Sequence, residues 1–212
     1  MSNNHILTIR NDGRIEEVNG FPKIDIQFFG SNSLVKIHES VKIKRKLIIQ
    51  LGENGLIQIN ENTKVKNMNI WALEKGSRFI CGGGCDLREV SVYYAGEENI
   101  SVSIGNDCLI STGVHIRASD GHTIYSAANP KEILNASSKC IKIGNHVWVG
   151  QNALITKDVI IPDNCVVGMG AVVTRKNFLE NSVIAGNPAK IIKTNINWDT
   201  QSIHEFERRV RN

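Results

Sequence analysis

Cysteine is scarce in these 212 residues and poorly arranged for cross-linking: Cys81, Cys85, Cys108, Cys140 and Cys165 are odd in number and irregular in spacing. That excludes a disulfide framework. Cys81 and Cys85 flank three glycines, half of a metal-site pattern, but no second pair follows at a recognisable distance. His115, His122 and His146 are too few for a closed zinc site, so no metal is expected. No apolar run reaches the length of a membrane span. The opening MSNNHILTIRN has no apolar signal core, and the expected location is the cytoplasm. Aromatic residues make up 6% of the chain and do not interleave with the densest basic run, Lys42, Lys44, Arg45 and Lys46, which argues against nucleic acid. With a net charge of +4, that run reads first as a solvated face. A polyanion lying along it is the sharper reading.

What is abundant is a period of six. From Ile143 the steps fall on Val149, Ile155, Ile161, Val167 and Val173, all β-branched and aliphatic. Two residues earlier, Ile141, Val147, Ala153, Val159, Cys165 and Ala171 form a second apolar register. Neither a helix nor a lone strand has this period, whereas short β segments joined by sharp corners do, and hexapeptide repeats mark a parallel β-helix. Gly144, Gly150, Thr156, Pro162, Gly168 and Thr174 follow the marks and suit the corners. Three short faces give coils of about eighteen residues. Weaker copies come earlier, with equivalent marks at Ile37, Ile59, Ile80, Ile104, Ile143 and Ile161, separated by 22, 21, 24, 39 and 18 residues.

The 39-residue step predicts one extruded loop, about 118–139. Long insertions in solenoids carry function disproportionately, and this one holds Asp120, His122 and Tyr125. His122 lies off both inward registers, and a neutral imidazole can take a proton from a hydroxyl, with a nearby carboxylate such as Asp120 able to fix its tautomer. Trp148 alternates with the inward Val147 and Val149, so its indole points outward toward a partner or ligand. His115 and His146 read as surface or interface residues. The β-helical domain is expected over 1–195, with 196–212 a tail whose segment 200–210 forms an amphipathic helix, Ile203, Phe206 and Val210 on one face, available to cap the open end.

Asp120-Gly121-His122, Ile143-Gly144-Asn145-His146-Val147-Trp148-Val149-Gly150, the stretch 167–174 and Ala185-Gly186-Asn187-Pro188-Ala189-Lys190, in that order, resemble the left-handed β-helix (hexapeptide-repeat) acyltransferases across about 102–193. Ile116-Arg117, Ile124-Tyr125-Ser126 and Asn195-Ile196-Asn197-Trp198 extend the similarity to bacterial capsule polysaccharide O-acetyltransferases, those of sialic-acid capsules included. The resemblance implies an all-β, left-handed parallel β-helix and an acetyl-CoA donor. It makes His122 the general base for direct transfer to a sugar hydroxyl, supported by Asp120, and gives Trp148 the acetyl and acceptor pocket. It places an oxyanion donor at the Gln151 amide, the pantetheine arm along Gly168, Met169 and Gly170, and the nucleotide end at Thr174, Arg175, Lys190 and Lys193. Tyr125 and His146 fall to the acceptor, a polysaccharide or sugar, which the net charge suggests is acidic. It also implies a homotrimer with clefts between subunits.

Two departures stand out. Ser111-Thr112-Gly113 lacks the asparagine frequent in the family before the loop, and the first hundred residues match poorly. Other classes remain open on the same fold: a nucleotide-amino-sugar N-acetyltransferase, against which stands the absence of a Gly-x-Gly pattern after a strand, an antibiotic acetyltransferase, and a non-enzymatic assembly module, which would leave the histidine loop without a purpose.

Overall fold

The computed structural model describes residues 3–174 and 178–211. Both hexapeptide registers point inward: from Ile141 to Val173 every mark in either series is at most 1% exposed. The chain winds as a three-faced parallel β-helix. One face stacks Leu34–His38, Leu56–Ile59, Arg78–Cys81, Ser101–Ile104, Cys140–Ile143 and Ile160–Ile161. The second stacks Leu109–Ile110, Trp148–Val149, Val166–Val167 and Val183–Gly186, and the third Val114–Arg117, Leu154–Ile155 and Val172–Val173. In the earlier coils a single long strand serves both of these faces. Asp86–Tyr94 pairs through Asp86 and Leu87 with the second face and through Val90 to Tyr93 with the third.

The corners are tight enough to dictate sequence. A Cβ on Gly105 would lie 2.5 Å from the Gly144 carbonyl oxygen of the next coil, so only glycine lets the two backbones approach. Asp107, His146 and Asn164 take positive φ at one stacked corner and Asn152 at another. Asp, Asn and His are the non-glycine residues that tolerate this region best. The predicted loop leaves between Val114–Arg117 and Cys140–Ile143. At the amino-terminal end His5–Ile9 closes as an antiparallel hairpin with Ile15–Glu17, and at the other end Val183–Gly186 turns back onto Ala189–Lys193.

Two expectations need correction. The mark at Ile80 is one residue early: Cys81 is the partner of both Ile59 and Ile104 and is fully buried, while Ile80 is only half-buried. A one-residue slip exchanges the two faces of a strand, and the glycines after Cys81 offered no β-branched residue to reveal it. The helix forms, over Ile203–Arg211, but none of its residues is buried. Ile203 is 82% and Val210 63% exposed, so it does not cap the core; the antiparallel turn at Val183–Lys193 does.

Ile160 and Ile161 test the register directly, being adjacent but 41% and 0% exposed. Ile161→Ala should cost about 2–5 kcal/mol of unfolding free energy, a buried-cavity loss, and Ile160→Ala less than about 1 kcal/mol. Urea midpoints of the two variants check this, equal costs being the contrary result.

Candidate active site

Trp148 stands outward on the second face, 38% exposed, because the strand buries its neighbours Val147 and Val149. Its Nε1–H donates to Ser111 Oγ at 3.4 Å. Trp198, from the tail, lies tilted against it with ring centroids 6.0 Å apart. Trp198 also stacks on His146 at 4.4 Å and donates Nε1–H to the His146 carbonyl at 2.8 Å. His146 is thus held three ways: at its positive-φ corner, beneath Trp198, and by Nδ1 3.1 Å from Asn164 Oδ1. Through Trp198 it belongs to one aromatic cluster with Trp148, though it does not itself line the groove beside Trp148.

Below this cluster runs a groove of about 400 Å³ lined by Trp148, Gly150, Gln151, Gly168, Met169 and, on its far side, Arg88, Ser111 and Thr112. The Gly150 N–H is taken by the Val167 carbonyl at 2.8 Å, and the Gln151 carbonyl accepts from Gly170 N–H at 2.8 Å. The Gln151 N–H donates to no described residue, and Gln151 is exposed. A Cβ on Gly170 would meet nothing within 4 Å, so a ligand can lie against the backbone there. Met169 is 73% exposed, free to cover such a ligand. Thr174, Lys190 and Lys193 are exposed near the carboxy-terminal coils and do not line the groove; Arg175 lies outside the described residues.

His122 occupies a different place. It is exposed in the extruded loop and lines a separate cavity of about 180 Å³ with Gly96, Glu97, Thr123, Ile133 and Asn135. Its imidazole makes no hydrogen bond among the described residues, and its carbonyl accepts from Asn135 Nδ2 at 2.8 Å. Asp120 does not support the ring as expected. Its carboxylate pairs with Lys157 of the adjacent coil, a charge-assisted contact, and accepts from Asn135 Nδ2 at 2.8 Å. The hydrogen bond from Lys157, then that from Asn135, holds the Asp120 carboxyl below the usual carboxylate range. Asp120 therefore anchors the loop to the helix. Tyr125, 56% exposed, bridges to Ile133 across the loop and lines neither cavity. Among the described residues no group of three His, Cys, Asp or Glu side chains is placed to hold a metal.

The two parts flank one face of the prism. Gln151 precedes Leu154–Ile155 and Lys157, which ties down the His122 loop, follows it. Within a single chain the imidazole and the Trp148 groove line separate cavities that share no residue.

Residues 140–175 match the family described as bacterial transferase hexapeptide (six repeats), and residues 95–118 match the hexapeptide repeat of succinyl-transferase. The chain is 45% identical over 107 residues to a polysialic acid O-acetyltransferase of Neisseria meningitidis, covering 50% of this chain and 49% of that one. To a polysialic acid O-acetyltransferase of Escherichia coli O1:K1 it is 38% identical over 48% of this chain and 32% of that one. The chain thus spans about half or less of the length of these curated relatives. Its fold superimposes on the crystal structure of the polySia specific acetyltransferase NeuO with a TM-score of 0.77 at 30% identity, covering 99% of this chain and 95% of that one. For the polysialic acid O-acetyltransferase OatWY the values are 0.61, 30%, 85% and 93%. The chain belongs to the left-handed β-helix, hexapeptide-repeat acyltransferases and is similar to their capsule polysaccharide O-acetyltransferases.

Sequence reading missed Trp198, Lys157, Asn135 and Arg88. Trp198 was visible within a shared motif, but its seat on His146 joins residues 52 apart. Lys157→Ala should loosen the loop, raising amide hydrogen exchange at Leu134, whose N–H is bonded to the Ile124 carbonyl at 2.8 Å; unchanged protection would remove Lys157 as its anchor. Because the Asp120 carboxyl is held low, the anchor is complete at and above the ordinary carboxylate range. It is lost only as pH falls through Asp120's own, lower value.

Proposed function

We propose that the chain is an O-acetyltransferase that moves acetyl from acetyl-CoA directly to a sugar hydroxyl of a capsular or other surface polysaccharide, as a homotrimer in the cytoplasm. The observation that carries this reading is the groove of Trp148, Gly150, Gln151, Gly168 and Met169. It offers an aromatic wall, an uncommitted amide and open backbone at Gly170 in a chain whose relatives are named for acetylating polysialic acid.

Acetyl-CoA enters as a substrate. Its pantetheine arm lies along Gly168, Met169 and Gly170, with the nucleotide end toward Thr174, Arg175, Lys190 and Lys193, where cations suit phosphates. His122, presented by the loop of the neighbouring subunit, takes the proton of the acceptor hydroxyl as its oxygen bonds to the thioester carbonyl carbon. The Gln151 N–H donates to the oxygen as it becomes negative. The C–S bond then breaks, and the imidazolium returns its proton to the departing thiolate. The separate linings of the two cavities support a homotrimer, in which a threefold rotation would bring the loop of one chain beside the groove of the next. Trp148 and His146, with Tyr125 on the loop, border the acceptor.

Replacing His122 by alanine should keep the fold and CoA binding while turnover falls by about two orders of magnitude or more. Acceptor-dependent release of CoA thiol measures this, and undiminished turnover removes His122 from the chemistry. The same assay with acidic capsule polysaccharide, nucleotide amino sugars and hydroxylated antibiotics as acceptors decides the substrate class; thiol release with amino sugars alone would overturn the O-acetyl reading. Arg175→Ala with Lys190→Ala should raise the KM for acetyl-CoA more than it lowers kcat, and an unchanged KM misplaces the nucleotide end.

A further inference from the structure

A concavity of about 640 Å³ is lined by Lys42, Lys44, Lys64, Val65, Lys66, Asp86, Arg88 and Thr112. The five cations come from three successive coils, and register aligns them. Lys42 pairs with Lys64, Lys64 with Asp86, Asp86 with Leu109, and Leu109 with Trp148. One outward column of the second face therefore runs from Lys42 to the indole, four rungs at about 4.8 Å, or about 19 Å in all. Arg88 and Thr112 line both this concavity and the Trp148 groove, so the two are continuous.

Ordinary surface neutralisation does not account for the column. Lys66 is 3.4 Å from Glu89 and Arg88 is 3.7 Å from Asp86, but Lys42, Lys44 and Lys64 have no ion-pair partner among the described residues. Lys42 and Lys64 stand in register on adjacent coils with Lys44 two residues along the first strand, so like charges gather on one concave wall and a polyanion lying across them gains their combined attraction. Direction decides which anion. The open backbone at Gly170 leads from Trp148 toward the carboxy-terminal coils, whereas the cations lead the opposite way, so on the acetyltransferase reading the donor's phosphates and the column lie on opposite sides of the reacting centre.

We propose that this column is an extended binding track for an acidic glycan acceptor, holding carboxylates of sugars several units from the one that reacts. This deepens the acetyltransferase reading and rests on it for the identity of the acceptor. The affinity is spread over a polymer, so it grows with chain length and falls with salt.

The test is direct binding, without acetyl-CoA, of polysialic acid of graded length to the full chain and to Lys42→Gln with Lys64→Gln. Both lysines are exposed, and circular dichroism checks that the variant folds. Long chains should bind the native protein more tightly than short oligomers, and the variant should lose about tenfold or more for long chains with little change for the short ones. Turnover should show the same pattern in acceptor KM, with the KM for acetyl-CoA unchanged. Equal binding of long chains by the two proteins overturns the track, as does failure of the native protein to bind them or equal binding of a neutral glycan. A rise in the acetyl-CoA KM instead would assign the lysines to the donor's phosphates and also overturn it. Length-dependent binding without any transfer would leave the track standing and sink the acetyltransferase reading.

Discussion

Everything in this molecule depends on two inward side chains per six residues being small or β-branched enough to fill the axis of a three-faced coil. The buried marks stack on their equivalents one coil away, so each hydrophobic contact also fixes which outward residue stands above which. Burial thereby determines the surface. Because Val147 and Val149 are inside, Trp148 must be outside, and because Ile43, Val65 and Leu87 align, the lysines beside them align too. A shift of one residue anywhere would scatter the column and turn the indole into the core.

The same regularity explains where the chemistry is placed. A solenoid's faces are flat and its corners repeat, so its regular coils offer only open grooves, and enclosing walls have to come from an exception or from another chain. The exceptions are the loop at 118–139, fastened by Asp120 to Lys157, and the tail whose Trp198 folds back onto His146. Both put functional groups at edges of the prism, and an edge becomes a cleft when a second prism packs beside it.

Much of this was legible in the sequence where residue type and period coincide. The marks from Ile141 to Val173, the outward Trp148 and the extruded loop with His122 all follow from counting sixes. Legibility failed where the position was fixed by a partner far along the chain. Cys81 occupies an inward site that Ile80 seemed better suited to fill, and only its pairing with Ile59 and Ile104 decides between them. Asp120 was paired in thought with its neighbour His122, but Lys157, 37 residues on, claims it. Counting sixes alone does not show that Lys64 stands beside Lys42 one coil on, which the strand pairing decides. The tail helix was found from its periodicity, but an amphipathic pattern says only that a face is apolar, not that this chain supplies what covers it.

The central claim is that His122 of one subunit serves the Trp148 groove of the next, and mixing two damaged proteins tests it most directly. His122→Ala and Trp148→Ala, each crippled alone, would be refolded together in equal amounts and assayed for acetyl transfer. If sites are shared between chains, random assembly leaves about a quarter of them with both residues intact, and activity should return to about that fraction of the native rate. A mixture no more active than its components would contradict a shared site and with it the account given of how the fold catalyses.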